Sequence, residues 1–119
     1  MSRKISWDDV PKEEVTPAMT RQMVYGEKIM ITRLSFKDGF EVPTHSHENE
    51  QITQVFKGTI RFWFGENREE EFDLHAGEVV VIPPNVPHAA LMIGEVEASD
   101  TFAPPRQDWI DGTDDYLKK

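Results

Sequence analysis

His45 and His47, two histidines separated by one residue, are the first side chains whose type and spacing suggest chemistry. In an extended strand, side chains at i and i+2 leave the same face, so both imidazoles can reach one metal ion without special backbone geometry. Gln51 follows three residues later, across a bend into the next strand, and its amide oxygen is a further neutral donor. His88 lies far along the chain, just after the turn Pro83-Pro84-Asn85, where a strand would re-enter the same body. Three imidazoles and an amide oxygen leave room for water or substrate, the open arrangement of a catalytic rather than a structural metal site. The chain has no Cys, so there is no thiolate site, no disulfide and no cysteine nucleophile. The remaining histidine, His75, precedes the Gly77 turn and is expected to be exposed; Gln54, of opposite parity to Gln51, is expected to face outward, and Arg33 and Arg61 are further candidates to line a pocket.

Those residues need a scaffold of short strands, and the sequence supplies one. From Gln22 onward, apolar and polar residues alternate in short runs punctuated by Gly, Pro, Asn and Asp. The runs at 28–36, 59–64 and 79–82 are the clearest; 50–56, 87–92 and 97–102 also read as strands, and Lys57-Gly58 as a turn. Ile60, Phe62 and Phe64 alternate with Arg61 and Trp63, and Phe62, Trp63 and Phe64 are most economically core. About nine short strands are expected between residues 22 and 103, the pattern of an all-β sandwich or barrel. Residues 1–21 read as an N-terminal segment with at most one edge strand. Residues 104–119 read as a C-terminal extension after Pro104-Pro105, and 108–117 has room for a short helix anchored by Trp109 and Tyr116. With 119 residues there is material for one closed core, and the whole chain is expected to be a single domain.

Composition narrows the partners. A formal net charge of −9 argues against a nucleic-acid backbone, whose binding depends on Lys and Arg neutralising phosphates. It leaves a small anionic substrate open, because one or two Arg in a pocket override the mean field locally. No run approaches the roughly 20 apolar residues of a membrane span. Residues 1–17 lack the apolar core of a secretory signal, so the expected location is cytoplasmic. A homodimer using the N-terminal segment is expected, since an unpaired sheet edge is a liability.

The framing around the histidines carries a resemblance. Gly39, five residues, His45, one residue, His47, three residues, Gln51, six residues and Gly58 resemble the first cupin motif. Gly77, five residues, Pro83, one residue, Asn85, two residues and His88 resemble the second. Gln51 stands where the usual ligand is Glu, and Asn85 where Gly is usual. The resemblance implies a double-stranded β-helix, or jelly-roll, barrel. It also implies one divalent metal ion (Zn, Ni, Fe or Mn) on His45, His47, Gln51 and His88. With Gln51 in place of Glu all four protein ligands are neutral, and the cation keeps its full charge as a Lewis acid.

A closer resemblance covers more of the chain. His45-Ser46-His47, Glu50-Gln51-Ile52, the segment from Ile82 to His88, and Asp100-x-Phe102-x-Pro104-Pro105-Arg106 are similar to the pectin-degradation cupins of the KdgF type. That family converts 4,5-unsaturated monouronates, released from pectin or alginate, to linear 4-deoxy-5-keto sugars. By this resemblance Asp100, Phe102 and Arg106 are the catalytic residues beside the metal. Asp100 would relay a proton, Arg106 would hold the substrate carboxylate with a bidentate fork, and Phe102 would shape the sugar pocket. Without the resemblance, Asp100 is equally a structural carboxylate, Arg106 a surface arginine and Phe102 ordinary core. Two alternatives stay open at this point: another cupin metalloenzyme such as a dioxygenase, and a non-enzymatic sugar- or metal-binding cupin.

Overall fold

Eight strands carry almost all the regular structure in the computed structural model, which describes residues 1–118. They are β1 (Glu13–Thr16), β2 (Met19–Tyr25), β3 (Met30–Phe36), β4 (Glu41–His45), β5 (Glu50–Phe64), β6 (Glu70–His75), β7 (Val79–Ile82) and β8 (His88–Ala103). A 3-10 turn at Trp7–Asp9 precedes them; the short helix α1 (Gln107–Asp111) and a 3-10 turn at Asp115–Leu117 follow. All the pairings are antiparallel. Among the described residues no helix is long and apolar enough to cross a membrane.

Two long bent strands organise the sheet. The first half of β5 pairs with the second half of β8 and with β7, while its second half pairs with the first half of β8 and with β6. One layer is therefore β1-β2-β3-β8-β5-β7 and the facing layer β4-β8-β5-β6, with β5 and β8 running through both. This is the jelly-roll of the cupin fold. The runs expected as separate strands at 50–56 and 59–64, and again at 87–92 and 97–102, are the two halves of β5 and β8. Gly58 reads as a turn but, like Gly94, serves as a bend within a continuous strand.

The bend at Gly58 has a physical cause. Its φ is +83°, and a Cβ there would lie 2.3 Å from the Glu95 carbonyl oxygen, so only Gly lets the two bent strands approach. The irregular register around Lys57 also shifts the inward parity. Gln51, Thr53 and Val55 point inward before the bend, and Ile60, Phe62 and Phe64 after it. Both halves of β5 thus line one interior, where a regular strand would have turned one half outward. The core between the layers includes Met19, Met30, Leu34, Phe36, Val55, Ile60, Phe62, Met92 and Phe102. Trp63, expected in the core, is half-buried on the other face and donates to Glu71.

The N-terminal strands begin earlier than the sequence suggests: β1 and β2 form a hairpin around Pro17. The C-terminal extension breaks into α1 and a 3-10 turn because Gly112 takes a left-handed conformation and ends the helix. Its Trp109 and Leu117 are both buried in the main core.

Candidate metal centre

Three elements bring the histidines together at one end of the barrel. His45 ends β4 and pairs in register with His88, the first residue of β8. His47 lies two residues beyond the end of β4, so strand parity alone does not place it. A backbone bond does: the Asn85 N–H donates to the His47 carbonyl at 2.8 Å, tying the Pro83-Pro84-Asn85 turn to the loop after β4. Asn85 adopts φ +65°, a left-handed conformation that Asn tolerates better than most residues. The two sequence segments framing the histidines are therefore hydrogen-bonded to each other.

Each imidazole is oriented by a backbone carbonyl. His45 Nδ1 lies 2.8 Å from the Pro43 oxygen, His47 Nδ1 3.0 Å from the Asn49 oxygen and His88 Nδ1 2.8 Å from the Val86 oxygen. A carbonyl only accepts, so each Nδ1 carries the proton and each Nε2 presents a lone pair. Ligand atoms of the three rings lie within 4.8 Å of one another. His88 Nε2 is buried without a hydrogen-bond partner. His47 Nε2 faces Gln51 Oε1 at 3.1 Å, two acceptors with no proton between them. An orphaned lone pair and an acceptor facing an acceptor are both relieved by a cation, so the donor set fits a divalent metal ion.

Electrostatics point the same way. Burial, then neighbouring His88, pushes His45 down to about 3. Burial, then Arg106, pushes His47 down to about 4. His88 is lowered chiefly by burial. All three imidazoles are neutral at physiological pH, the state in which they ligate metal.

Beside this cluster lies a cavity of about 50 Å³, lined by His45, Gln51, Thr53, His88, Asp100, Phe102, Arg106 and Tyr116 among others. Asp100 and Phe102 both reach it from β8, as their shared parity requires. Phe102 is fully buried and meets His47 edge-on, with ring centroids 5.7 Å apart. Asp100 joins Gln51 through a residue that the motifs did not single out. Gln51 Nε2 donates to Thr53 Oγ1 at 2.9 Å, and Thr53 Oγ1 donates to Asp100 Oδ1 at 2.6 Å. Thr53 shares the parity of Gln51, a signal the sequence did carry. Burial raises the Asp100 carboxyl to about 6, against the opposing pull of the Thr53 hydroxyl, Arg106 and Gln51.

Arg106 is buried, with 3% of its surface exposed. Its fork is engaged within the chain: Nε and Nη2 donate to Asp108 at 3.0 and 2.8 Å, and Nη2 also to the Tyr116 oxygen at 2.7 Å. The free fork expected from the sequence is thus half occupied. Burial works against ionisation of Asp108, yet Arg106 prevails and holds its carboxyl below the usual range. Asn49 fixes the start of the extension by donating to the Pro104 carbonyl at 2.6 Å. A fully buried ion pair, Arg21 Nη1 to Asp114 Oδ2 at 2.7 Å, pins its far end to β2. The other candidates do not reach the cavity: His75 and Gln54 are exposed, Arg61 pairs with Asp73, and Arg33 lies over Trp7 and Phe56.

Comparisons with known proteins agree with this geometry. A family model described as a cupin domain matches residues 32–99. Among curated proteins none matches the chain. The solved structure of an RmlC-like cupin from Shewanella frigidimarina NCIMB 400 is similar at 26% identity, covering 91% of this chain and 96% of that one, with a TM-score of 0.81. That of KdgF from Halomonas sp. is similar at 25% identity, covering 86% of this chain and 94% of that one, with a TM-score of 0.77. Oxalate decarboxylase of Bacillus subtilis shares the fold at 16% identity over 84% of this chain and 29% of that one, with a TM-score of 0.72.

Proposed function

The chain belongs to the cupin family, and from that premise we propose that it is a metal-dependent isomerase opening a 4,5-unsaturated monouronate to the linear 4-deoxy-5-keto sugar. The observation that carries the reading is Asp100. A carboxyl poised near neutrality opens into the same cavity as a buried arginine and three converging imidazoles. A proton relay beside an anion anchor requires that combination. Similarity to KdgF of Halomonas sp. over nearly the full length of both chains supports the choice of substrate class.

The reaction moves one proton and adds none. The anomeric hydroxyl loses its proton, the bond from C1 to the ring oxygen breaks, and C1 becomes an aldehyde. The released oxygen stays on C5 and becomes a ketone as the C4–C5 alkene takes a proton at C4. In this reading Asp100 gives that proton to C4 and regains one from the hydroxyl side. Arg106 attracts the C6 carboxylate and so aligns C4 and C5 with Asp100. Phe102 forms the apolar wall that keeps water from the developing enol. When bound by His45, His47, Gln51 and His88, a divalent cation supplies Lewis acidity to a substrate oxygen that gains negative charge.

The test is to supply an unsaturated monouronate to the metal-loaded protein and follow loss of alkene absorbance. Asp100→Asn should retain metal and lose turnover by at least about 10²-fold. Stoichiometric dioxygen uptake, or full activity in that variant, would overturn the reading.

A further inference from the structure

The C-terminal extension brings a phenol to the cavity that the reaction above leaves without a part. Tyr116 stacks on His45, ring centroids 4.5 Å apart, and lines the same cavity as Asp100 and Arg106. Its oxygen accepts from Arg106 Nη2 at 2.7 Å and from Trp109 Nε1 at 3.2 Å. Those bonds fill both lone pairs, and a phenol keeps one proton to give. Among the described residues no acceptor takes that proton. Arg106 has a similar remainder: Nε and Nη2 are engaged, while Nη1 has no partner among the described residues. Two unused donors on adjacent groups, one of them cationic, complement an oxyanion such as a carboxylate.

In a 4,5-unsaturated uronate the C6 carboxylate is bonded directly to the C4–C5 alkene, so acrylate is the smallest molecule that carries both groups.

We propose that Tyr116 is a ligand-binding residue, donating its O–H to the carboxylate that Arg106 Nη1 attracts. This rests on the reading of Arg106 as the carboxylate anchor. It assigns the extension a direct role in recognition.

Acrylate serves as the probe, titrated into metal-loaded and metal-free protein and followed by tryptophan fluorescence. Tyr116→Phe keeps the ring on His45 and removes the donor. It should weaken acrylate binding about tenfold and leave metal affinity unchanged. Arg106→Gln should abolish acrylate binding. Loss in Arg106→Gln with none in Tyr116→Phe overturns the role of Tyr116 and leaves the anchor standing; loss in neither overturns both. Lost metal affinity in Tyr116→Phe would make Tyr116 a structural residue and also overturn the proposal. Direct contact has its own readout. The chain has two tyrosines, so 3-fluorotyrosine labels position 116 and Tyr25, which is exposed away from the cavity. Acrylate should shift only the fluorine signal of position 116, and an unmoved signal refutes donation by Tyr116.

Discussion

Lowering the pH from 7 to 5 should cost almost no metal affinity through His45 and His47, although both expected ligands are histidines. An imidazole with the ordinary value of 6.5 is about 97% protonated at pH 5. Two such ligands would together lose about 10³-fold in apparent affinity, or about 4 kcal/mol. In this protein His45 is pushed to about 3 and His47 to about 4, both chiefly by burial. At pH 5 His45 is essentially unprotonated and His47 only about 10% protonated, so their combined loss is below about twofold. His88 is lowered as well. The cost appears in the metal-free fold. Unfolded imidazoles take up protons near 6.5 and the folded ones only well below that. Stability from burying neutral rings is complete above about pH 6.5 and is lost as pH falls toward 4 and then 3. Competition for zinc against a chelator of known pH dependence measures the affinity, and calorimetry in buffers of different ionisation enthalpy counts the protons released. A fall of a hundredfold or more by pH 5, or release of two protons per metal at that pH, refutes the argument.

Two stability predictions follow from the scaffold around the site. Asp114→Asn removes the charge opposite Arg21 in a pair with no exposed side-chain surface. Glu13 still contacts the guanidinium, so the loss should lie near the low end for a broken buried pair, about 3 kcal/mol. That corresponds to a fall of roughly 10 °C in melting temperature, and a shift under 2 °C in a thermal melt would show that the latch contributes little. Gly58→Ala and Gly39→Ala form a matched pair, because both glycines have positive φ but only Gly58 has a backbone oxygen where the Cβ would go. Gly39→Ala should cost about 1 kcal/mol and Gly58→Ala clearly more; equal costs in chemical denaturation would remove the close approach of β5 and β8 as the cause of the bend.

The legible parts of the site were those with local periodicity or local framing. His45, the Pro83-Pro84-Asn85 turn and the parity of Asp100 with Phe102 all follow from neighbours in sequence. Long-range contacts explain what was missed. Gly58 reads as a turn because a bend inside a 15-residue strand depends on the partner strand bending with it. His47 was assigned by strand parity, but the backbone bond from Asn85 positions it. Without the resemblance Arg106 reads as a surface residue, because Asp108, Trp109 and Tyr116, which enclose it, are placed by the fold of the extension. The link from Thr53 to Asp100 required the β5–β8 register, which pairs those two residues directly.

That link also distinguishes this site from a generic cluster of three histidines and a carboxylate. Thr53 has one proton, which it gives to Asp100 while accepting from the Gln51 amide. Gln51→Glu would place a carboxylate on each side of a single donor, and one of them would lose its hydrogen bond. In the metal-free protein this should cost about 1–3 kcal/mol. Adding Asp100→Asn reverses the chain rather than breaking it. The amide introduced at position 100 can donate to Thr53, and Thr53 can donate to the carboxylate at position 51. The double variant should therefore be more stable than the two single losses predict, with a coupling energy of about 1 kcal/mol or more by thermal or urea denaturation. Strict additivity would mean that Gln51, Thr53 and Asp100 do not act as one relay. The Gln51 amide would then have no structural connection to the Asp100 carboxyl.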